Sequence, residues 1–378
     1  MLLKAPADKF NMHCLNFNTN IAGLILLSAI CCACSSMSSD LPFEDVEYVK
    51  DFPVTYDVKN GSVVETGRIG LQDIMLCGND TMLISMQNSS GYISAMNLDD
   101  GTMSAGFFRQ GNGPGELLYA PFFSSVSKTS QGDGTALILG DGKGNMLKWR
   151  LDGLFRDTQP DIETIADSLA AGMFYTLYVN DSTYICRTLS GDSSRQIRFL
   201  QRGTERITTK SMEKLNGRSI PVKRDGYLFN ILSSFSRYNA SKDLVIEASL
   251  MLNTIDLYSL HGDFEKTVCL GEKADDIDRI CSEGPENLKE TFTRLILQDD
   301  FFAVMYKGGL QFPGPGRKSP DPRIYLFGYD GSPKAELVMH EGASAFDIDA
   351  DGGFLYTLDR ERELIQRYDI SEALEAID

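Results

Sequence analysis

A pair of turns that recurs six times constrains this sequence more than any other feature. The first turn is an Asn/Asp/Gly pair between two apolar runs, at Asn79-Asp80, Asp133-Gly134, Asn180-Asp181, Lys242-Asp243, Asp299-Asp300 and Asp351-Gly352. These residue types tolerate the left-handed backbone that tight hairpins demand. A strand-like run follows each, as in Met82-Leu83-Ile84-Ser85-Met86 and Leu244-Val245-Ile246-Glu247. The second turn closes the next run, at Asn97-Leu98-Asp99-Asp100-Gly101, Trp149-Arg150-Leu151-Asp152-Gly153, Phe199-Leu200-Gln201-Arg202-Gly203, Tyr258-Ser259-Leu260-His261-Gly262, Phe327-Gly328-Tyr329-Asp330-Gly331 and Arg367-Tyr368-Asp369-Ile370. From first turn to second the distances are 21, 20, 22, 19, 31 and 19 residues. The long fifth interval contains an insertion running from Phe312 through Pro313-Gly314-Pro315-Gly316-Arg317-Lys318 to Pro322.

Units of about 50 residues with about four short strands each describe a β-propeller, here with six blades. A β-sandwich would not need the same two turns at the same separation six times. The sequence therefore predicts an all-β, six-bladed propeller of four-stranded blades over 45–378, with blades near 68–110, 118–167, 170–212, 226–272, 288–340 and 343–370. After Asp369 there remains a short tail that reads as a helical turn, so the last blade lacks a fourth strand. Residues 45–57, with Asp45-Val46-Glu47-Tyr48-Val49 and Phe52-Pro53-Val54-Thr55-Tyr56, are expected to supply it and close the ring, which removes an open edge.

Ahead of the repeats, Ile21-Ala22-Gly23-Leu24-Ile25-Leu26-Leu27-Ser28-Ala29-Ile30 is an apolar run of signal-peptide length, too short to span a bilayer comfortably. Lys4 and Lys9 precede it, and Ala33-Cys34-Ser35-Ser36 follows it. The arrangement resembles a bacterial lipoprotein signal, which implies a leader over 1–33, acylation of Cys34 (palmitate among its chains) and a polar tether over 34–44. Cys31 departs from the Leu or Val usual at its position, Cys32 is an alternative site, and an ordinary cleaved signal is the other reading. The polar lead leaves both Met1 and Met12 as possible starts.

With 53 acidic against 36 basic residues, the net charge of −17 leaves no nucleic-acid footprint, since phosphate binding needs clustered Lys and Arg. A basic membrane-binding face is excluded for the same reason. The mature-chain cysteines Cys77, Cys186, Cys269 and Cys281 show no C-x-x-C spacing, so a zinc site is unsupported. Cys77 and Cys186 read as core residues, and a Cys269–Cys281 pairing stays open. With His261 and His340 alone after the leader, a three-His metal site is impossible and a His-based triad is not expected. No G-x-S-x-G elbow occurs. Asp347-Ile348-Asp349-Ala350-Asp351-Gly352 matches half of a calcium loop, but Leu358 stands where a bidentate Glu is required, so a hairpin turn is the favoured reading. Asp275-Asp276-Ile277-Asp278 reads as a solvated loop. No metal and no cofactor are expected.

The string Arg109-Gln110-Gly111-Asn112-Gly113-Pro114-Gly115-Glu116 joins the expected outer strand of blade 1, Met103 to Phe108, to the expected inner strand of blade 2, Phe122 to Ser127. Glu116 stands where a dinucleotide loop needs its third glycine, and no Gly-Lys-Ser/Thr follows. On a structural reading Glu116 accepts backbone N–H groups and Arg109 pairs with a carboxylate. On a functional reading both stand at the rim of a central funnel. Arg317 and Lys318, in the protruding insertion, are further rim candidates, because insertions often carry binding.

This string, the leader and the six weak blades resemble the six-bladed, TolB-like propeller lipoproteins of Bacteroides and related bacteria, over nearly the whole mature chain. The resemblance implies fold and location, and no catalytic residues. The resulting expectation is a lipid-anchored cell-envelope protein, on either membrane face, that binds or scaffolds an envelope protein or glycan without catalysis. The alternative is a carboxylate-based, glycan-active hydrolase or lyase of the envelope. It would need two carboxylates roughly 5–10 Å apart in the funnel.

Overall fold

The computed structural model describes residues 41–377, apart from 79, 89–90, 131–134, 157–159, 168, 170–172, 192–193, 225–226, 285–286 and 312–319. The leader, Cys34 and the tether through residue 40 lie outside the described residues. From Asp40 onward the chain forms one compact unit.

Six small sheets form a six-bladed propeller. Blade 1 holds Leu71–Leu76, Thr81–Met86 and Ile93–Asn97. Blade 2 holds Ser127–Ser130, Thr135–Gly140, Met146–Arg150 and Asp161–Ala166. Blade 3 holds Met173–Asn180, Thr183–Leu189, Gln196–Arg202 and Glu205–Ile207. Blade 4 holds Ser234–Asn239, Leu244–Ser249, Thr254–Ser259 and Glu265–Leu270. Blade 5 holds Lys289–Leu297, Phe302–Leu310, Arg323–Phe327 and Pro333–Val338. Blade 6 holds Ala345–Asp349, Phe354–Asp359 and Leu364–Asp369. Every first-turn marker falls between the inner and second strands, and every second-turn marker at the end of the third strand. Antiparallel alternation puts both kinds of turn on one face of the ring. The blade-to-blade crossings and the turns between second and third strands share the other face, called here the crossing face.

Both faces of each blade are buried, which is why the strands read as continuous apolar runs rather than alternating ones. Along Thr81–Met86, Met82, Ile84 and Met86 pack toward blade 6, whereas Leu83 packs toward blade 2. Along Leu244–Ser249, Leu244, Ile246 and Ala248 face blade 5, and Val245 faces blade 3. One apolar cluster fills each of the six seams.

An N-terminal strand does close the ring, but it is Ser62–Val64, antiparallel to Leu364–Asp369, and not residues 45–57. That earlier stretch makes two other additions. Val46–Val49 pairs in parallel with Glu265–Leu270 of blade 4, and Val54–Asp57 in parallel with Pro333–Val338 of blade 5. The segment is thus a strap around three blades, and apolar side chains tie it down at each seam it crosses. Phe43 is 1% exposed between blades 3 and 4, edge-on to Tyr258. Phe52 stacks on Tyr325 between blades 4 and 5. Val58 is buried between blades 5 and 6, and Val64 packs at the seam of blades 6 and 1.

Blade 1 lacks a regular fourth strand. Met103 and Phe107 make isolated bridges to Met96 and Ile93. Between them, the Ser104 hydroxyl accepts the Ala95 N–H at 2.8 Å, and Gly91 and Gly106 meet backbone to backbone, so that a Cβ on Gly91 would lie 2.5 Å from Gly106 Cα. A second departure is in blade 2. Phe122 to Ser127 is not the inner strand, which begins at Ser127; instead Phe123–Ser125 forms a 3-10 turn at the head of that strand. Helices α1 (Lys210–Asn216), α2 (Ile277–Glu283) and α3 (Ser371–Glu375) are short, with Thr209 and Asp276 capping the first two.

If the strap holds the ring shut, Phe43→Ala should lower unfolding stability in urea by about 3–5 kcal/mol, the cost of emptying a buried phenylalanine site. Tyr48→Ala, on the exposed face of the same strap, should change it by less than about 0.5 kcal/mol. An effect of Phe43→Ala as small as that of Tyr48→Ala would show that the strap does not hold the ring.

Candidate functional site

The centre of the ring is filled by the chain itself. The 3-10 turn Phe123–Ser125 touches the inner strands of blades 1, 3 and 5. Arg237, on the inner strand of blade 4, donates through its guanidinium to the carbonyls of Phe123 (2.6 Å), Ser124, Val126 (3.2 Å) and Leu295 (3.3 Å). The Tyr175 hydroxyl of blade 3 also donates to the Ser124 carbonyl, at 2.9 Å. On the opposite side, Phe123 N–H donates to Asp73 Oδ2 at 2.8 Å, and Arg294 of blade 5 closes an ion pair with the same oxygen at 2.6 Å. Asp347 of blade 6 accepts the Leu76 N–H of blade 1 at 2.8 Å. All of these side chains are buried or nearly so. Burial pushes the Asp347 carboxyl above its ordinary range and the Arg237 guanidinium below its own. Asp347 and Asp349 both serve as backbone acceptors, Asp349 capping Gly352 N–H in its hairpin.

The glycine string crosses from blade 1 to blade 2 on the crossing face, and its glycines make room for its glutamate. Glu116 Oε2 accepts the Gly113 N–H at 2.7 Å, and a Cβ on Gly111 would lie 2.0 Å from that oxygen. Lys143, from the turn between the second and third strands of blade 2, donates to the carbonyls of Gly113 (2.9 Å) and Glu116 (2.8 Å). Upstream, Phe108 takes a left-handed φ of 59°. Successive strand side chains normally point to opposite faces. This kink turns both Phe107 and Phe108 onto Trp149, each ring 5.0 Å from it. The loop is thus a rigid platform. Glu116 is turned into it, whereas Arg109 is exposed with no ion pair among the described residues. Arg317 and Lys318 lie outside the described residues. At the base of their insertion, Tyr306, Lys307, Pro320 and Arg323 border an open cavity of about 400 Å³.

A charged cluster that the sequence did not advertise sits in the seam of blades 3 and 4. Glu247 is 2% exposed and accepts from Arg187 and Arg198 of blade 3 at 2.8 Å each, and from the hydroxyls of Tyr258 and Ser234 at 2.8 Å each. Burial alone would raise its pKa, but the two guanidinium charges, Arg187 and then Arg198, bring it down to about 2. Its cross-strand neighbour Asp256 behaves oppositely. Burial, with a contribution from Glu247, raises it to about 7 against the lowering hydrogen bond from Thr267 (2.7 Å). Asp256 stands on a cavity of about 40 Å³ with Arg198, Arg218 and Asp275, roofed by Leu41 and Pro42 of the strap. That volume holds water rather than a substrate. Asp275 is not in a solvated loop: it lines this cavity and accepts the Asn253 N–H, while Asp276 opens α2. The sequence signal for these groups was a charge in mid-strand, as in Ile246-Glu247-Ala248 and Ser236-Arg237-Tyr238.

The four described cysteines, Cys77, Cys186, Cys269 and Cys281, are free thiols. Burial pushes Cys77, Cys186 and Cys269 up to about 12, and Cys281 is exposed. Among the described residues no cluster of His, Cys, Asp and Glu could hold a metal ion.

No protein-family model matches the chain, and no curated protein matches it in sequence. Among solved structures, a member of the DUF4221 family from Bacteroides vulgatus is 7% identical with a TM-score of 0.47, covering 83% of this chain and 94% of its own. A candidate exported protein from Bacteroides fragilis is 11% identical with a TM-score of 0.46, covering 86% and 98%. A protein of unknown function from Bacteroides thetaiotaomicron is 11% identical with a TM-score of 0.44, covering 84% and 75%. At these values the propeller rests on the chain's own sheets.

Gly111→Ala and Glu116→Ala should each destabilise the protein by about 1–3 kcal/mol, since each breaks the same buried-edge hydrogen bond. Their effects should fall well short of additive in a urea double-mutant cycle; full additivity would dissociate the glycines from the glutamate. The seam cluster makes two opposite contributions to pH dependence. Glu247, lowered from 4.5, stabilises above pH 4.5, and this is lost as pH falls toward 2. Asp256, raised from 3.8, contributes stability that is complete below pH 3.8 and is lost as pH rises to about 7. Asp256→Asn should therefore raise the melting temperature relative to the parent at pH 8 more than at pH 4.5. Parallel pH profiles would place Asp256 outside the titration.

Proposed function

We propose that this chain is a cell-envelope propeller, anchored through acyl chains on Cys34, that binds a protein or glycan on its crossing face without converting it. The observation that carries the reading is the filled centre of the ring. The funnel, where a small substrate would meet catalytic groups, is occupied by Phe123–Ser125, and Asp73, Arg237 and Arg294 spend their hydrogen bonds on that turn. What is offered outward is a set of rigid crossing loops, a common place for recognition on a fixed scaffold. The leader pattern supports the anchor and the envelope location.

The Asp256–Glu247 pair favours a second reading, the carboxylate-based, glycan-active hydrolase or lyase. Two carboxylates whose environments drive their pKa values apart are a signature of acid–base pairs. Against it, Glu247 is enclosed by two arginines and a tyrosine, and the adjoining cavity holds only about 40 Å³.

Incubating the full chain with a panel of envelope polysaccharides should yield binding at most, with no release of reducing or unsaturated ends. Turnover that disappears in Asp256→Asn would replace the first reading by the second. For the anchor, Cys34→Ser should abolish incorporation of labelled palmitate and release the protein from the membrane fraction; undiminished labelling would refute acylation at that residue.

A further inference from the structure

The crossing face over blade 1 carries an exposed apolar patch. Ile69 is 80% exposed, Tyr119 63% and Phe122 45%. They belong to two neighbouring crossings and are tied into one surface. Phe122 lies under the guanidinium of Arg360, 5.6 Å from carbon to ring centre, and Arg360 belongs to the turn between the second and third strands of blade 6. Glu363 in that turn accepts the N–H of Gly70, next to Ile69, at 2.8 Å. Between Tyr119 and Phe122, the Pro121 carbonyl accepts the Ser85 hydroxyl of blade 1 at 2.6 Å. Tyr119 rests against Gly142 of blade 2, where an added Cβ would lie 2.9 Å from its ring. The patch therefore runs from blade 6 over blade 1 to blade 2 on fixed supports.

Its charges are sorted. The acidic groups here are mostly turned inward: Glu116 into its own loop, Asp141 onto Lys143 and Asn145, Glu363 onto Gly70, and Asp359 onto the N–H groups of residues 361 and 362 and the Arg362 guanidinium. Glu65, Glu361 and Glu363 are exposed, Glu363 while it bonds Gly70. Arg68, Arg109 and Arg360 are exposed, and none has a carboxylate partner among the described residues; Arg68 and Arg360 donate to the main-chain carbonyls of Ser104 and Ser344. On a chain of net charge −17 these are three guanidinium charges that no carboxylate among the described residues neutralises. Tyr, Phe and Arg around an apolar centre are the residue types that dominate protein–protein hot spots, and an exposed isoleucine suits a protein partner better than a sugar.

We infer that this patch is the docking surface for another protein, through a segment that places Asp or Glu around aliphatic or aromatic side chains. The arginines supply orientation and a salt-dependent on-rate, and Ile69, Tyr119 and Phe122 supply the buried centre. The inference deepens the non-catalytic binding reading and rests on it.

The test pans a displayed random dodecapeptide library against the full chain, immobilised through its C-terminus. Enriched peptides should combine acidic residues with aliphatic or aromatic ones. Their synthetic forms should bind at least tenfold more weakly to Arg109→Glu and to Phe122→Ser, and several-fold more weakly in 500 mM than in 50 mM NaCl. The Arg109 side chain makes no hydrogen bond or ion pair among the described residues, so its variant keeps the test readable if Phe122→Ser folds poorly; melting curves verify both. No enrichment, enrichment of neutral or basic peptides, or binding untouched by both substitutions would overturn the surface. Polygalacturonate that competes at this patch while peptides do not would also overturn it, in favour of a glycan. Turnover of a polysaccharide would instead overturn the binding function itself, so the two failures are separable.

Discussion

The ring depends on one buried device: a 3-10 turn set in its centre and held from all around. A propeller's inner strands converge but do not hydrogen-bond to one another across the axis, so something must satisfy the polar groups that meet there. Here the main chain of Phe123–Ser125 does it. Arg237 gathers carbonyls from the turn and from blade 5, Tyr175 adds blade 3, and Asp73 joins the turn's N–H to Arg294. Buried charges are costly unless their hydrogen bonds are met, and breaking such a pair typically costs about 3–5 kcal/mol. The network therefore ties blades 1, 3, 4 and 5 to one central turn, which occupies the axis at that level.

The periphery solves a different problem. Each blade ends in an outer strand with an unpaired edge. The N-terminal strap covers two such edges, on blades 4 and 5, then supplies the outer strand of blade 6, and drops Phe43, Phe52, Val58 and Val64 into the seams as it goes. Covering an edge removes a template for unwanted strand pairing. The strap also roofs the small cavity beside Asp256, so the titration of that carboxyl and the seating of Leu41 and Pro42 share one site.

With centre and edges both committed to holding the ring, the crossing loops are the part of the chain left to face outward. The glycine string is instructive because its most conspicuous residues turn inward. Gly111 and Gly113 leave space for the Glu116 carboxylate, Lys143 bonds the carbonyls, and the result is a stiff shelf that presents Arg109, Tyr119 and Phe122.

The number of blades, their order and the turns after each blade's first and third strands were legible in the sequence, because Asn, Asp and Gly turns are local: each is set by the few residues that compose it. The apolar runs and the buried Cys77 and Cys186 were legible for a similar reason, since a strand buried on both faces shows it in its own composition. Which strand closes the ring was not. Val46–Val49, Val54–Asp57 and Ser62–Val64 have similar strand character, and the seams that receive Phe43 and Phe52, hundreds of residues later in the chain, decide where each one pairs. Nor could the sequence say that Arg237, Arg294 and Asp73 meet at the axis, or that Glu247 and Asp256 stand opposite each other on adjacent strands with their pKa values shifted in opposite directions. Those pairings join residues 50 to more than 200 positions apart or set by strand register. Glu116 lies between. The sequence offered two directions for it, inward onto backbone N–H groups or outward at a rim, and the space that two glycines leave, with a lysine from the next blade on the loop's carbonyls, selects the first.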